Sequence, residues 1–599
     1  MPGSQIKPPT GVNMRVVTRF APSPTGFVHV GSHRTALYNY LFARQQGGKF
    51  ILRVEDTDRK RFVEGAVENL LSSLRRLGIE YDAGPGKEDG NGPYFQSRRS
   101  DIYRKEVERL LANGHAYRCF CSAERLEALR QEQIAKQVPS AYDGHCRELS
   151  PEESEMRAKK EAYVIRLKVP REGVCAFHDI VRGDVEIAWQ QVDDQVLVKS
   201  DGYPTYHLAN VVDDHYMQVT HIIRGEEWLP SVPKHLYLYE ALGWEAPQMA
   251  HLPLLLNPDR SKLSKRQGDV AIEDYLKKGY VPEALNNFLA LLGWNPGEKN
   301  EIYSLDELIR AFDINKIVKA GAVFDLQKLN WMNAQYIKNM EKERYLKEAR
   351  HWLAADMQDD PKLDVALLAV QTSLTTFRDI PEKLSVFSGE PATPDEEAQR
   401  AIFKRISDIE VPKFVIEKIK KEVDPAIKNI NSLDIESIQK GIVAAIENIN
   451  KIDFASMQKS IIENTNTREM ENIQKGIAEN ISKIDFVSMQ KSIIENINAL
   501  DTERIQKFAI EIDNILSNEN TQKAFRAYQE KFEALSQLNA EIFKSVMKDI
   551  QQETGVKGKQ LWMPVRIALT GEMHGPELGY IAEYLGKEEN IKRIKRYLS

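Results

Sequence analysis

The chain is 599 residues long, which at roughly 150 residues per domain predicts about four domains. Its composition, 42% hydrophobic and 28% charged, is that of a globular protein, and the absence of any apolar run of about 18 residues argues against a membrane span. The net charge of −6 excludes a bulk polycation, and four cysteines exclude a disulfide scaffold and favour the reducing cytoplasm.

The elements predicted at the start of the chain alternate between strand and helix. A lead-in rich in Gly and Pro, residues 1–14, is expected to be disordered. The hydrophobic pattern then predicts a strand at Arg15–Phe20, a turn at Ala21–Gly26, a helix at Gly31–Gln46, a strand at Phe50–Asp56 and a helix at Val63–Leu77. This order is typical of a parallel α/β sheet.

Residues 119–205 change in character and predict an inserted α+β domain. They hold a cysteine cluster, a polar helix at Ala123–Gln137 and three short β-rich segments. A βα pattern resumes at Tyr206–Asp214 and His221–Gly225. From about Val270 onward the chain is predicted to be mostly helical.

Residues 430–512 form an internal repeat with a unit of 16 residues. The copies at 449–464 and 481–496 differ at only two positions. The repeats carry 9 positive and 13 negative side chains, a balance of −4 that disfavours a direct grip on nucleic acid. The period fits either one continuous helix or a stack of short helices. A solvated helical insertion and an arm that binds an unknown protein are both open.

Two short motifs indicate a nucleotide site. A strand leads through a Pro/Gly turn into a helix start that carries His29 and Gly31. Free N–H groups at a helix start suit phosphate, His29 can donate to phosphate oxygens, and Gly31 lets an adenosine approach the backbone. Further along, Lys262 and Lys265 stand on a loop and would act as point charges on a polyphosphate. By themselves, these motifs could also be a buried turn and a solvated basic loop.

Together the motifs resemble the two signatures of class I aminoacyl-tRNA synthetases, with His29–Ser32 in the first and Lys262–Arg266 in the second. Four further segments make the chain similar to glutamyl-tRNA synthetases of the bacterial type: APSPTG (21–26), RVEDTD (53–58), YHLANVVDDH (206–215) and RGEEWL (224–229). The resemblance covers about residues 15–404 and 521–599.

The resemblance implies an α/β fold: a class I synthetase Rossmann-type catalytic domain with an inserted α+β acceptor-binding domain, followed by all-α stem-contact and anticodon-binding domains. The implied boundaries are 15–118 and 206–269 for the catalytic halves, 119–205 for the acceptor-binding insertion, 270–330 for the stem-contact domain, 331–404 and 521–599 for the anticodon-binding domain, and 405–520 for the acidic insertion with the repeats.

The implied reaction joins L-glutamate to tRNA(Glu) in two steps. ATP and glutamate give glutamyl-adenylate, and the acyl group then moves to the 3′ end of the tRNA. Mg²⁺ is implied with ATP, held mostly by phosphates and water. A form that also glutamylates tRNA(Gln) and an inactive paralogue that only binds tRNA are the alternatives, while the helical C-terminus disfavours a glutaminyl enzyme. The family expectation is a cytoplasmic monomer without a membrane segment.

Glutamate carries two carboxylates and one ammonium, so a selective site requires arginine and an acid. The residues implied to bind the amino acid are Arg19, Ala21, Ser23, Glu55, Tyr206, Asn210 and Arg224. Arg19 and Arg224 are the expected carboxylate binders, with Arg19 on the side chain, and Glu55 is the expected ammonium partner. Structural pairing is the alternative, with Glu226 or Glu227 for Arg224 and with Arg53 or Arg59 for Glu55.

The residues implied to bind ATP are His29, Gly31, Glu227, Trp228 and Lys265, and the catalytic set is His29, Gly31, Lys262 and Lys265. His33 departs from the family pattern, in which many relatives carry a small or neutral residue. It is expected either to modulate the site or to face solvent.

The cysteine cluster is a candidate zinc site. Cys119, Cys121 and Cys146 have a spacing that suits Zn²⁺, and they resemble a zinc knuckle in the acceptor-binding domain of some family members. Tyr142, which fits one pattern in relatives, is the expected fourth ligand, with His145 and Glu148 as alternatives. Three reduced cysteines in a loop are the other interpretation, and Cys175 is expected to be a small buried apolar residue.

Two helical segments resemble the family's RNA-binding parts. Phe324–Ile337 is similar to the entry into the anticodon-binding region, and Gly555–Gly586 is similar to the final domain. Lysine and arginine there would meet backbone phosphates. Ser373 stands about where many relatives have an arginine near the third anticodon base, which leaves tRNA(Gln) recognition open.

Overall fold

The computed structural model describes residues 15–58, 61–263, 271–353, 362–384, 387 and 514–598. They fall into two units, one running to residue 340 with 375–378 added, the other made of 341–374 and the described residues beyond 378. The predicted lead-in at 1–14 and residues 405–513 of the repeat block lie outside the described residues.

The strands of the described residues all lie in the first unit. They are β1 Val17–Phe20, β2 Lys49–Leu52, β3 Ala116–Cys119, β4 Val164–Leu167, β5 Val174–Asp179, β6 Gly183–Ala188, β7 Val196–Val198, β8 His221–Gly225, β9 Gln248–Leu252, β10 Leu255–Leu256 and β11 Ala322–Val323.

The helices of the first unit surround these strands. They are α1 Val30–Gln45, α2 Ala66–Arg76, α3 Ser100–Ala112, α4 Ala123–Ala135, α5 Pro151–Ala158, α6 Tyr206–Tyr216, α7 Val232–Ala241, α8 Ile272–Lys277, α9 Pro282–Ala290, α10 Leu305–Ala311 and α11 Leu326–Lys338.

The described part of the second unit is helical. Its helices are α12 Lys342–Arg350, α13 Leu363–Val370, α14 Ile380–Leu384, α15 Glu519–Glu533, α16 Ala540–Thr554, α17 Lys559–Thr570 and α18 Leu578–Lys595. Among the described helices of both units, none is at once long enough and apolar enough to cross a bilayer.

The catalytic core predicted from the first 77 residues is present. β1 pairs in parallel with β2, from Val17 opposite Lys49 to Phe20 opposite Leu52. All four residues of β1 are buried, as expected for a strand covered on both faces. α1 connects the two strands and buries eleven of its 16 residues, so its N-terminus is held firmly beside the end of β1.

A second parallel pair, β8 with β9, lies next to β1, because the Thr220 N–H donates to the Val17 carbonyl at 3.0 Å. The order of the elements here differs from a βα pattern, since helix α6 precedes strand β8. A shared apolar core fills the space behind them, and it includes Leu208 of α6 and Ile222 of β8.

The segment predicted as an insertion contributes to two sheets. β3, β4 and β7 form a separate antiparallel sheet, whereas β5 and β6 form a hairpin that joins the β6-β5-β9-β8 sheet, with Asp179 opposite Met249. The expected boundary between residues 118 and 119 falls inside β3. Cys175 and Trp189 pack into the same core as α6, which explains why the hairpin lies against the catalytic sheet.

Candidate functional site

The turn between β1 and α1 forms one wall of the site. His29 caps α1, and its Nδ1 accepts the Gly31 N–H at 3.0 Å. An accepting Nδ1 puts the ring proton on Nε2, the donor that a phosphate oxygen would require. A Cβ on Gly31 would lie 3.3 Å from that same Nδ1, so a side chain there would crowd the histidine.

A cavity of about 220 Å³ opens along this turn, with Ser23, His29 and Ser32 in its lining. A helix start beside an open cavity suits a phosphate group, because the helix dipole and the first N–H groups favour an anion. The turn is also tied to the next strand segment. The Glu55 N–H donates to the Pro22 carbonyl at 3.0 Å, which places Glu55 next to Ala21 and Ser23.

Glu55 is a buried carboxylate, only 7% exposed. Burial raises its pKa to about 7, although the nearby Arg53 guanidinium acts in the opposite direction. Arg53 Nη2 donates to Glu55 Oε1 at 3.2 Å, so the structural pairing considered for Glu55 does occur. The other pairing candidate, Arg59, lies outside the described residues.

Three buried arginines pair with the neighbouring aspartates Asp213 and Asp214, and we refer to Arg19, Arg53 and Arg99 as the acid-paired arginines. Arg19 Nε lies 3.2 Å from both oxygens of Asp214, and Arg53 Nη1 donates to Asp214 Oδ1 at 2.6 Å. Arg99 Nε donates to Asp213 Oδ1 at 2.6 Å. The predicted carboxylate binder Arg19 therefore carries its own counter-ion.

Asn210 accepts hydrogen bonds from two of these arginines. Its Oδ1 accepts from Arg19 Nη2 at 3.3 Å and from Arg53 Nη2 at 3.1 Å. Two donors on one atom identify that atom as the oxygen, so the amide nitrogen points the other way. That Nδ2 is buried and has no partner among the described residues.

Arg224 is buried to the same degree but is held differently. It is 5% exposed; its Nε donates to His251 Nε2 at 3.0 Å, and its Nη1 donates to Tyr206 Oη at 2.9 Å and meets His235 Nδ1 at 3.3 Å. Its Nη2 is buried and has no hydrogen-bond partner among the described residues. Within the part of the chain that the structure describes, no carboxylate forms an ion pair with Arg224. We refer to it as the histidine-held arginine.

The pairing of Arg224 with Glu226 or Glu227, considered from the sequence, is absent from the described residues. Glu226 instead accepts the Leu254 N–H at 2.9 Å and pairs with Arg182, and Glu227 is exposed. Trp228, in the short helix Glu226–Ser231, packs on Tyr206 with ring centroids 4.2 Å apart. These two rings form an aromatic wall next to the histidine-held arginine.

The two lysines of the second motif differ in what the structure describes. Lys262 is exposed and forms an isolated antiparallel β-bridge with Leu256. The Leu263 N–H donates to the Leu255 carbonyl at 2.9 Å and closes this tight hairpin. Lys265 lies outside the described residues, as do all positions from 264 to 270.

His33 is fully buried, so the expectation that it faces solvent is wrong. Its Nε2 lies 2.9 Å from Asn286 Oδ1 in α9, and Asn286 in turn donates to the Leu77 carbonyl at 2.6 Å. Burial lowers the pKa of His33 to about 4, which keeps the ring neutral at physiological pH. The side chain thus joins the start of α1 to α9.

The three predicted metal cysteines come together. The Sγ atoms of Cys119, Cys121 and Cys146 lie within 4.8 Å of one another. Tyr142 Oη is 3.3 Å from Cys119 Sγ and 3.5 Å from Cys121 Sγ. Among the other fourth-ligand candidates, Glu148 is 79% exposed and pairs with Lys168, and His145 is exposed. Three thiols and one phenol oxygen are a donor set that fits Zn²⁺.

Cys175 is buried as expected, and it packs in the catalytic core rather than in this cluster. Ser373 lies in the short helix Gln371–Ser373, where its hydroxyl donates to the Val370 carbonyl at 2.8 Å.

Several buried polar residues of the site were not predicted from the sequence, namely Arg99, Asp179, Asp213, Asp214, His235 and His251. Asp213 and Asp214 carried a signal in the sequence, because they follow an apolar helical stretch and interrupt the buried face of α6. His251 had no such signal, since its partner Asp179 is 72 residues away in the sequence.

The chain matches known families over most of its length. A sequence model of the family described as tRNA synthetases class I (E and Q), catalytic domain, matches residues 15–331, and a model described as an anticodon binding domain matches residues 453–598. The second match begins inside the repeat block, so part of the repeats lies in the matched anticodon-binding region.

Curated relatives and solved structures agree with these matches. A glutamate–tRNA ligase of Alkaliphilus metalliredigens is 41% identical over 590 residues, which cover 97% of this chain and 98% of that protein. One from Clostridioides difficile is 40% identical with the same coverage. A crystal structure of a glutamate tRNA ligase from Elizabethkingia meningosepticum, in complex with its amino acid, is 32% identical with a TM-score of 0.66, and the match covers 98% of this chain and 99% of that one. The chain therefore belongs to the glutamate–tRNA ligase family of class I tRNA synthetases.

Proposed function

We propose that this chain activates L-glutamate with ATP to glutamyl-adenylate and transfers the glutamyl group to the 3′ end of tRNA(Glu). The observation that carries the assignment to this site is the histidine-held Arg224. A buried guanidinium without a counter-charge is costly, so its unpartnered Nη2 favours an anionic ligand. The unpartnered Nδ2 of Asn210 is a second buried donor on the same helix as Tyr206, and Glu55 is an acid for a cation.

The amino acid would use these groups according to their charge. Arg19 and Arg224 bind the carboxylates, with Arg19 on the side chain, and Asn210 supplies one further hydrogen bond. Glu55 binds the ammonium, and an adjacent cation would lower its raised pKa and keep it ionised. Ala21, Ser23 and Tyr206 complete the set proposed to surround the substrate.

ATP would lie along the β1–α1 turn. His29 and Gly31 meet phosphate and adenosine, Lys262 and Lys265 reach the polyphosphate, and Glu227 and Trp228 border the site. Mg²⁺ would be held mostly by the phosphates and water, because it dehydrates reluctantly.

Both steps are displacements that require placement and charge stabilisation more than a protein nucleophile. In the first, a carboxylate oxygen of glutamate attacks the α-phosphorus and pyrophosphate leaves. In the second, a hydroxyl of the terminal ribose attacks the acyl carbon and AMP leaves. The chain's own residues hold the reactants and stabilise the charge that develops on phosphate oxygens.

The test is aminoacylation with separate tRNA(Glu) and tRNA(Gln) transcripts, each offered glutamate or glutamine. We expect glutamate on tRNA(Glu), and the absence of glutamate transfer to either tRNA would overturn the proposal. Charging of tRNA(Gln) with glutamate would identify the form that accepts both tRNAs, which the serine at position 373 leaves open. Pyrophosphate exchange is run with and without tRNA.

We propose that the cysteine cluster binds one Zn²⁺ through Cys119, Cys121, Cys146 and Tyr142. The proximity of the Tyr142 hydroxyl to two of the thiols supports tyrosine over His145 or Glu148. Metal analysis of the purified protein should give about one zinc per chain, as a four-ligand structural site requires. Cys146→Ser should lose the metal and Cys175→Ser should retain it. A zinc content far below one per chain in the unaltered protein contradicts the site.

We propose the domain boundaries that were inferred from the sequence. We also propose that the chain is a monomer and that it acts in the cytoplasm, where tRNA is charged. The acidic block at 405–520 is proposed as a solvated helical insertion without a catalytic part, with an arm that binds an unknown protein as the alternative. Deleting 405–520 and adding a short linker should then preserve charging. Loss of charging would instead indicate that the block is part of the anticodon-binding region. The match to the anticodon binding domain model, which begins at residue 453, would be consistent with that result.

A further inference from the structure

A continuous row of buried polar side chains passes through the histidine-held arginine. Asp179 Oδ2 lies 2.5 Å from His251 Nδ1, His251 Nε2 accepts from Arg224 Nε at 3.0 Å, and Arg224 Nη1 meets His235 Nδ1 at 3.3 Å. His235 Nε2 then lies 3.0 Å from His207 Nδ1. Asp179, His235 and His251 are all fully buried.

The row has only one consistent arrangement of protons around the arginine. A guanidinium has donors and no acceptor, so the nitrogen of His251 that faces Arg224 must be unprotonated. The proton of His251 therefore sits on Nδ1 and is donated to Asp179. By the same reasoning, Nδ1 of His235 accepts from Arg224, and its Nε2 proton is donated to His207.

Asp179 is itself fixed at the end of β5. Its Oδ1 accepts the N–H groups of Val181, Arg182 and His251 at 3.0, 2.9 and 3.2 Å. Burial, the largest single influence, would raise the pKa of Asp179, but the contacts with the His251 ring and the backbone N–H groups of Arg182 and His251 together outweigh it, so the net direction is down. An ionised, immobile carboxylate thus selects the His251 tautomer that can accept from Arg224.

The consequence is electrostatic. The partners of Arg224 are two imidazoles and one phenol, and burial lowers the pKa of both His251 and His235. Neutral acceptors orient the guanidinium without cancelling its charge. An acid in their place would form an ion pair, as Asp214 does with Arg19, and would leave less attraction for a ligand.

We propose that His251, oriented by Asp179, is a positioning residue that holds Arg224 through a neutral acceptor and thereby keeps its full charge for a substrate carboxylate. The inference rests on the proposed function, in which Arg224 binds glutamate. It adds two residues, one from β9 and one from the β5–β6 hairpin, that touch no substrate and act through the arginine.

Three substitutions test the role of the acceptor. His251→Leu removes it, and the glutamate KM should rise about 10- to 100-fold, the value of a hydrogen bond to a charged group, while the ATP KM stays the same. His251→Gln retains an amide oxygen for Arg224 and an N–H₂ for Asp179, so it should recover most of the loss. Asp179→Asn removes the charge that selects the tautomer and should give an intermediate increase.

His178→Gln is the matched control, because His178 precedes Asp179 on β5 but its side chain is 68% exposed and pairs with Asp184. It should leave both KM values unchanged. Thermal unfolding of each variant separates a loss of fold from a loss of substrate affinity, and the conservative Asp179→Asn and His251→Gln variants carry the test if His251→Leu does not fold.

The inference is overturned if Asp179→Asn and His251→Leu leave the glutamate KM unchanged, if they raise the glutamate and ATP KM values equally, or if His251→Gln is no better than His251→Leu. These outcomes are distinct from failure of the proposed function, which would appear as no glutamate transfer by the unaltered protein. Arg224→Met distinguishes the two failures. If Arg224→Met raises the glutamate KM while the His251 variants leave it unchanged, only the positioning role of His251 is rejected.

Discussion

Two buried arginine environments stand side by side in the first unit. Arg19 is 4% exposed and Arg224 is 5% exposed, yet Arg19 lies 3.2 Å from the carboxylate of Asp214, whereas the acceptors of Arg224 within the described residues are two histidines and a tyrosine. Burial is therefore the same in both and counter-charge is not. The two arginines proposed to bind glutamate therefore differ in the charge that each keeps for a ligand, because an uncompensated buried cation is costly until an anion arrives.

The acid-paired arginines and their acidic partners together have a net charge close to zero. Three guanidinium groups, Arg19, Arg53 and Arg99, face three carboxylates, Asp213, Asp214 and Glu55. Such a group is stabilised by mutual pairing and is sensitive to the removal of any one charge. The histidine-held arginine has no such balance, so removing it should cost binding more than folding.

The largest effect is expected from Asp214→Asn. It leaves Arg19 and Arg53 without the fully buried carboxylate between them, so the free energy of unfolding should fall by about 3–5 kcal/mol. Urea unfolding measures the loss. Asp184→Asn, at a side chain that is 92% exposed, is the control and should have little effect. If the two variants are equally stable, the ion pairs of Asp214 do not stabilise the fold and the proposed electrostatic difference between Arg19 and Arg224 is wrong.

A direct comparison of Arg19→Met with Arg224→Met comes next. Both should raise the glutamate KM by about 10- to 100-fold, since each loses a charge-assisted contact with a carboxylate. Only Arg19→Met should also lower the free energy of unfolding by about 3 kcal/mol, because it strips a buried acid of one partner. Steady-state kinetics and unfolding curves give both quantities. If Arg224→Met is as destabilising as Arg19→Met, the distinction is wrong.

Glu55 should make glutamate binding depend on pH. With its pKa raised to about 7 by burial, the free protein loses the ionised form as the pH falls. The glutamate KM should therefore increase about tenfold between pH 8 and pH 6. Glu55→Gln should have a higher KM that is flat over this range. A parallel pH profile in the variant would assign the dependence to another group.

The raised pKa of Glu55 also makes the free energy of unfolding depend on pH, in a direction that can be predicted. A carboxyl whose folded pKa lies above its unfolded value contributes stability that is present below the unfolded pKa of about 4.5 and is lost as the pH rises through about 7. The stability difference between the unaltered protein and Glu55→Gln should thus change over this window and be constant at higher pH.

The smallest effect is expected at His33, a buried ring that carries no charge. His33→Ala removes the hydrogen bond to Asn286 and should reduce the free energy of unfolding by about 1–3 kcal/mol with the glutamate KM unchanged. Asn286→Ala should have a similar effect, and the double variant should show less than the sum. A large change in the ATP KM would instead show that this contact supports ATP binding at the start of α1.

The residues of the site were predictable to different degrees. Motif residues such as His29 and Gly31 were readable because a Pro/Gly turn before an amphipathic helix defines a helix start locally. The cluster of Cys119, Cys121 and Cys146 was predicted from the spacing of the three residues, and their Sγ atoms lie within 4.8 Å of one another. The pairing of Arg224 could not be read, because nearby Glu226 and Glu227 suggested an ion pair that the described residues do not form.

The sequence by itself determined the order β1–α1–β2–α2 at the start of the chain, the motif residues and the family. Hydrophobic period and turn chemistry act over a few residues, so these features are encoded locally. Only the tertiary structure decided which charge meets which partner. Arg19 and Asp214 are 195 positions apart, and Asp179 and His251 are 72 apart. Pairing between such distant groups depends on the packing of β1, β5 and β9 against α6, and among the described residues that packing gives Arg19 an acidic partner and Arg224 none.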